Sequence, residues 1–555
     1  MPGMEMDVQE RSQQSVVSHP QEQGRPWSFR LAAMVLTLVT VAAATGFLLV
    51  PWLRPKGEEA SAPPTAAEPT AAERLFRNWP KPDVALVLTG QQHGYMQPCG
   101  CTDPQFGGLP RRYNFLQSLQ KRGWPIVAAD LGEVAQESGP QKQVKLNYSM
   151  EALNRLNYTA VGIGVTEALM PLSDALANIL ALNNAKLRVV CANFIDKDEV
   201  FFSNKMLFTS ALAETRESVP RVGFVGVIGP TLAQDLQTRS NDDVRFEAAD
   251  KVLLKEIRAL EEKQAELLVL LFLGTAKEAK AYATKFPQFQ VILCWCDYTE
   301  PSEKPDLVGN TLIIGLGQKG RYVGVVGVNR TGKADKPFDL RYELVQMSPE
   351  YETPKGQEDA NPMYDVMERY AKDVRNGNYL AKYLQVNHPL QIDYPEATYV
   401  GSDTCRRCHK AAYEVWNSHP HSHAYKTLEN AKHPSLRQYD GECVVCHTTG
   451  FGYQSGYRSE KATPKLLKVG CESCHGPASL HVKDQNDLQL RAALNPWKAK
   501  PGEDPEKVAT RIQIKVCNKC HDEDNSYHFK YEEYWYKKKT AHPTPKGAGF
   551  RGARP

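Results

Sequence analysis

The sequence predicts a multidomain chain: one N-terminal transmembrane helix, a layered α/β domain, and a mostly α-helical C-terminal region. Three observations carry this reading. Leu31 to Leu53 runs for 23 residues without a charge. Residues 83–347 alternate apolar, strand-like stretches with amphipathic helical ones. Eight of the 13 cysteines lie between Cys405 and Cys520. A chain of 555 residues exceeds a single hydrophobic core. Its 42% hydrophobic and 24% charged residues mark it as globular and not disordered. Lys and Arg (67) nearly balance Asp and Glu (64), and the net +3 gives no ground for nucleic acid as a partner.

Residues 1–30 read as a cytoplasmic tail and residues 31–53 as the anchor. At about 1.5 Å per residue the run covers a bilayer core of about 30 Å. Its exit, Val50-Pro51-Trp52-Leu53-Arg54, is a poor cleavage site, and Trp52 suits the membrane interface. The span therefore reads as uncleaved, with cleavage the alternative. Arg25 and Arg30 before it and Arg54 and Lys56 after it leave the orientation undecided by charge. Residues 54–82 are rich in Pro, Ala and Glu, the composition of a semi-extended tether.

In the middle region, strands are expected at Val84–Thr89, Ile126–Asp130, Thr159–Ile163, Leu187–Ala192, Val222–Ile228, Leu267–Leu273, Val291–Cys294, Thr311–Gly315 and Tyr322–Val328. Helices are expected at Leu172–Leu182, Asp250–Gln264 and Ala276–Lys285. This alternation implies one α/β domain over residues 83–347. Gly315-Leu-Gly317-Gln-Lys-Gly320 fits G-x-G-x-x-G, but an alternating strand follows where a dinucleotide loop needs a helix. A hairpin turn is expected there. Residues 348–397 form a connector. Met363, Val366, Met367, Tyr370, Ala371 and Val374 recur at helical spacing, so it contains a docking helix.

Four C-x-x-C-H motifs follow: Cys405/Cys408/His409, Cys443/Cys446/His447, Cys471/Cys474/His475 and Cys517/Cys520/His521. Residue frequencies alone give about 0.008 such motifs in a chain of this composition. The spacing suits covalent haem: each thiol pair bonds the two vinyl groups, and the adjacent histidine falls under the iron as proximal ligand. Zinc ribbons use paired cysteines too, but have no need of a histidine after every second one. Four c-type haems are expected. Their attachment takes place outside the bacterial cytoplasmic membrane. The expected location is therefore a single-pass protein of that membrane, N-terminus inside, bulk in the periplasm or outside the cell. Residues 544–555 are a basic tail.

Residues 398–543 resemble the tetrahaem cytochrome c-554 family. The stretches that match are W-x-x-x-x-x-x-H-A-Y (416–425), C-x-x-C-H-T-T-G (443–450), C-E-S-C-H-G-P-A-S-L-H-V (471–482) and Y-x-x-Y-W…H (531–542). The resemblance implies His423, His481 and His542 as distal ligands, and family members can leave one iron five-coordinate. His419 and His421 read as loop residues and His433 as surface. His528 reads as a ligand or as packing, and His388 lies where it could reach the haem region.

Residues 83–347 resemble the metallophosphoesterase domain of the 5′-nucleotidase family. The landmarks are Leu88-Thr-Gly-Gln91-Gln-His93-Gly94, Gly107-Gly-Leu-Pro-Arg111-Arg112, Asp130-Leu-Gly-Glu133, Ala192-Asn193 and the closing strand pair 311–324. The metal ligands carry over poorly. Gln91 stands for the first Asp and Glu133 for the second. Gly164-Val165-Thr166-Glu167 replaces G-N-H-E, Phe272 replaces a histidine, and Cys294-Trp295-Cys296-Asp297-Tyr298 replaces G-H-x-H. Two metal ions about 3.5–4 Å apart need more carboxylates and imidazoles than His93 and Glu133 supply. Cys99, Cys101, Cys294 and Cys296 gather near the same cleft in that layout. They read as one or two disulfides, or as a soft transition-metal site with His93 and Glu133. Cys191 reads as buried.

The leading reading is a membrane-anchored tetrahaem cytochrome that moves electrons between redox donor and acceptor proteins, with a phosphoesterase-like domain that has lost hydrolysis. One alternative is a working 5′-nucleotidase-type hydrolase with a cytochrome tail. Another is a redox enzyme acting on a small nitrogen or sulfur compound at an open haem.

Overall fold

The computed structural model describes residues 74–99, 104–171, 186–239, 244–495, 502–522, 525–526 and 529–536. The expected span 31–53, the helix expected at Leu172–Leu182, Cys101, His528 and His542 lie outside these, and only the backbone of Cys99 is described. All described residues fall in one compact unit, Pro69–Pro555. Among them no helix is long and apolar enough to cross a membrane.

In chain order the strands are β1 (Val84–Thr89), β2 (Pro98–Cys99), β3 (Phe106–Gly107), β4 (Ile126–Asp130), β5 (Tyr158–Gly162), β6 (Arg188–Val190) and β7 (Ser210–Leu212). Then come β8 (Val222–Ile228), β9 (Leu267–Leu273), β10 (Phe289–Cys294), β11 (Asp306–Val308), β12 (Thr311–Ile314), β13 (Tyr322–Arg330) and β14 (Phe338–Gln346). Two six-stranded sheets form, ordered β14-β13-β1-β4-β5-β6 and β11-β12-β10-β9-β8-β7, with β2 and β3 as a separate pair. In the first sheet β1, β4, β5 and β6 run parallel and β13 and β14 add an antiparallel edge; in the second a parallel centre has an antiparallel strand at each edge. Strand β9 shows why. It is apolar at every position (LLVLLFL) and buried throughout. Leu267, Val269, Leu271 and Leu273 face the core shared by the two sheets. Leu268, Leu270 and Phe272 face a second cluster under helices Ala249–Glu262 and Ala276–Lys285. Side chains alternate faces along a strand, so a strand covered on both sides must be apolar throughout.

The expected hairpin at 315–320 is not one. β12 pairs with β10 and β11 in one sheet, whereas β13 pairs with β1 and β14 in the other. The segment crosses between sheets. Leu312, Ile314, Val323 and Val325 all face the shared core, and alternation alone does not reveal whether two strands share a sheet. The sequence pattern also passed over β14. Six of its central residues are half-buried, as befits an edge strand.

The connector helix is Pro362–Asn376, with all six expected apolar residues buried and the Asn361 side chain accepting from the Met363 N–H as its N-cap. It packs on helix Lys142–Arg155 and helix Leu109–Lys121. Asn378, at φ 47°, ends it ahead of a short 3-10 turn, Tyr379–Lys382. From Leu390 onward the chain forms short helices around small apolar clusters, one on Tyr399, Tyr425, Val444 and Tyr457, another on Leu390, Leu490 and Leu494.

Candidate haem sites and the α/β cleft

The four C-x-x-C-H segments converge. The thiols of Cys405 and Cys471 are in hydrogen-bonding contact, as are those of Cys446 and Cys520. Cys474 in turn lies near Cys517 and Cys520. The first motif therefore neighbours the third, the third the fourth, and the fourth the second.

Three of the motif histidines are oriented by a bond at Nδ1. His447 Nδ1 lies 2.7 Å from the Ala424 carbonyl oxygen, His475 Nδ1 2.8 Å from that of Leu494, and His521 Nδ1 3.1 Å from Ser526 Oγ. With a carbonyl, the ring must donate from Nδ1, which leaves the Nε2 lone pair free for a metal. Burial lowers the pKa of His447 and His521, favouring the neutral form that ligation requires.

Two ring pairs test the fit to haem iron. His409 and His481 stand with ring centres 6.3 Å apart, and His421 and His521 with theirs 6.0 Å apart. Two imidazoles on one iron, each with a bond of about 2 Å and about 1 Å more to the ring centre, place their centres about 6 Å apart. These pairs fit. His481 is the distal residue the sequence implied. His421 was read as loop, but it is part-buried, and burial lowers its pKa to about 4, with His419, His521 and His447 adding to the shift. His423, the residue the resemblance implied, is exposed. His419 Nδ1 accepts from the His421 N–H. His388 lies beside Gly476, but its Nδ1 accepts from the Leu390 N–H at 3.1 Å, so its Nε2 carries the proton. That is the wrong tautomer for an Nε2 ligand.

Residues with no metal-binding signature hold this arrangement. Buried Glu472, inside the third motif, accepts from the N–H groups of Val400 (3.0 Å), Gly401 (2.7 Å) and Ala478 (2.9 Å), tying the approach to the first motif to the third. Trp416 Nε1 donates to the Val469 carbonyl at 2.9 Å. Asp440 caps the helix Gly441–His447 by accepting from the Glu442 N–H. A charged residue just before or within a C-x-x-C-H motif was the available signal for Asp440 and Glu472.

In the α/β cleft the polar side chains of Gln91, Asp130 and Glu133 are held by the chain's own groups. Gln91, His93 and Glu133 are all left-handed, with φ of 51°, 48° and 55°. Such geometry is costly for side chains with a Cβ and is typical of functional loops. The Gln91 amide is spent on Cys296: Nε2 donates to its carbonyl at 2.9 Å and Oε1 accepts its N–H at 2.8 Å. Asp130 accepts from Thr89 Oγ1 (2.5 Å) and the Gly132 N–H (2.9 Å). Glu133 accepts from the N–H groups of Val165 and Thr166. Glu167 accepts from Ala135 (2.5 Å) and Gly164 (2.9 Å). Burial raises the pKa of Glu133 and Glu167, the latter to about 8 with Glu133 adding repulsion. His93 Nε2 is buried without a partner, and burial holds that imidazole neutral, near pKa 4. Cys294 packs in the outer apolar cluster, where burial pushes its thiol up to about 12. Cys296 lies beyond the strand end, its Sγ near Gly315 and the Tyr298 carbonyl. Both thiols are free, as is that of Cys191. Among the described residues no three of His, Cys, Asp and Glu come together as a metal site.

Residues 404–476 match the family described as cytochrome c554 and c-prime. Cytochrome c-554 of Nitrosomonas europaea is 32% identical over 138 residues, which span 23% of this chain and 58% of that protein, little more than half its length. The reduced-state structure of that cytochrome aligns at 26% identity and TM-score 0.19, over 26% of this chain and 85% of that one. The 5′-nucleotidase precursor of Thermus thermophilus aligns at 20% identity and TM-score 0.44, over 55% of this chain and 60% of that one. Haemophilus influenzae NAD nucleotidase aligns at 14% identity and TM-score 0.42, over 62% and 68%. Residues 404–476, the segment that matches the cytochrome c554 and c-prime family, include the first three C-x-x-C-H motifs.

Proposed function

We propose that the protein is a tetrahaem c-type cytochrome, anchored in the cytoplasmic membrane by residues 31–53 with its bulk outside, that passes electrons between redox partner proteins. The observation that carries this reading is the two pairs of neighbouring imidazoles, His409 with His481 and His421 with His521. Bound haem supplies reversible one-electron chemistry at its iron. Cys405, Cys408, Cys443, Cys446, Cys471, Cys474, Cys517 and Cys520 tether the four groups, and His409, His447, His475 and His521 are their proximal ligands. His481 serves the first motif and His421 the fourth. His542 remains the proposal for a further distal ligand. The adjacency of the thiols would set the haems in the order first, third, fourth, second motif. Glu472 ties the approach to the first motif to the third, and Asp440 caps the helix of the second.

The α/β domain acts in this reading as a scaffold without phosphoesterase activity. Its support is the cleft, where Gln91, Asp130, Glu133 and Glu167 are each held by the chain's own donors or acceptors. The membrane location rests on the uncharged run and on where c-type haem is attached. A redox titration of the full chain, produced with haem maturation, tests the function. Complete and reversible reduction of haem absorption is expected; a chain without reversible haem bands would overturn it.

A further inference from the structure

The second C-x-x-C-H motif lies against the α/β domain. Asp440, which caps its helix, also accepts from the Gln141 amide at 2.6 Å and from the Tyr370 hydroxyl at 3.3 Å. The Tyr383 hydroxyl donates to Gln141 Oε1 at 3.2 Å. Beside this cluster Lys145, from helix Lys142–Arg155, forms an ion pair with Glu442, the residue before Cys443. Lys145 is buried, and its stem packs on the cleft loop: a Cβ at Gly94 would lie 3.0 Å from Lys145 Cδ. Burial pulls the Lys145 pKa down, but Glu442 and Asp440 outweigh it and keep the ammonium charged. The half-buried Cys443 thiol lies among Asp440, Arg437, Glu442 and Lys145. Lys145 is buried but the Glu442 side chain keeps 38% of its exposure, and a half-exposed ion pair adds little stability. This one does something apolar residues would not: it fixes charges of opposite sign beside a haem-attachment cysteine.

We infer that the α/β domain sets the reduction potential of the haem attached at Cys443 and Cys446, by holding the Lys145 ammonium against Glu442 beside it. The inference rests on the proposed haem at that motif. One electron, supplied by the reductant, lowers the positive charge at that site by one unit. A nearby cation therefore favours the reduced form and raises the potential; a nearby anion lowers it. Both effects are stronger away from bulk water. Lys145 is a positioning residue whose domain would otherwise have no part in the redox chemistry.

The test is a potentiometric titration of the full haem-loaded chain and of Lys145→Met, Lys145→Arg and Glu442→Gln. One of the four transitions is expected to move to lower potential in Lys145→Met, to higher potential in Glu442→Gln, and to stay in place in Lys145→Arg. The other three stay put in all variants. Loss of packing would move both charge-removing variants the same way or spread over several haems, and either result overturns the inference, as does the absence of any shift. If Lys145→Met fails to mature, the opposite pull in Glu442→Gln still decides it. Mass spectrometry of the Cys443–Cys446 peptide separates the two ideas: a peptide without haem in the unaltered protein would sink the proposed function at this motif, whereas haem present with unmoved potentials would sink only the charge effect.

Discussion

Gln91 and Cys296 join the two sheets of the α/β domain through a closed pair of hydrogen bonds, the amide donating to the carbonyl at 2.9 Å and accepting the N–H at 2.8 Å. Both residues are buried. Cutting Gln91 to Ala removes both bonds and leaves a buried N–H and carbonyl without partners. The expected cost is about 2–4 kcal/mol. Thermal unfolding of the full chain should show it; a change within about 0.5 kcal/mol, the range of ordinary surface substitutions, would mean that the pair does not join the sheets.

The same pair bears on hydrolysis. With Gln91 spent on Cys296 and Glu133 on Val165 and Thr166, added manganese or zinc should find no two-metal site. Phosphate release from AMP by the full chain is expected to equal that of a His93→Ala variant. Metal-dependent release that disappears in His93→Ala would restore the hydrolase reading.

Glu133 and Glu167 give the α/β domain a pH dependence. Burial first, then Glu133, raise the Glu167 pKa from 4.5 to about 8. Between those two values the folded chain holds a proton that the unfolded chain releases, so stability falls as pH rises across that window. Glu167→Gln removes the proton and should flatten that part of the curve. An unchanged slope in denaturant titrations at pH 5, 6, 7 and 8 would show that Glu167 does not hold a proton across that window.

Spin state distinguishes His421 from His423. His421→Ala should convert one low-spin haem to high-spin, visible in absorption and electron paramagnetic resonance. His423→Ala, at an exposed position, should leave the spectra as they were. The reverse pattern would return the ligand to the residue that the sequence resemblance implied.

The contrast between those two histidines shows what the sequence could and could not disclose. Attachment cysteines and proximal histidines are legible because covalent chemistry fixes their spacing within five residues. A distal ligand comes from elsewhere in the chain. In His419-Pro-His421-Ser-His423, sequence offers three imidazoles within one turn, and only the fold decides which faces His521. Likewise β8 and β9 were legible as continuous apolar runs, buried on both faces. The crossing at 315–321 was not, because alternation records a strand's faces but not its neighbours. Lys145 gave no signal at all. It lies in a helix 297 residues before its partner Glu442, and nothing near it in sequence marks a haem motif.

The most direct test of the account is the number and position of haems on the full chain, read together by pyridine haemochrome assay, intact mass and peptide mapping. Four haems, one at each of Cys405/Cys408, Cys443/Cys446, Cys471/Cys474 and Cys517/Cys520, is the expected result. Zinc in place of iron at any of these cysteine pairs, or a pair that remains as free thiols after full maturation, would contradict the tetrahaem reading.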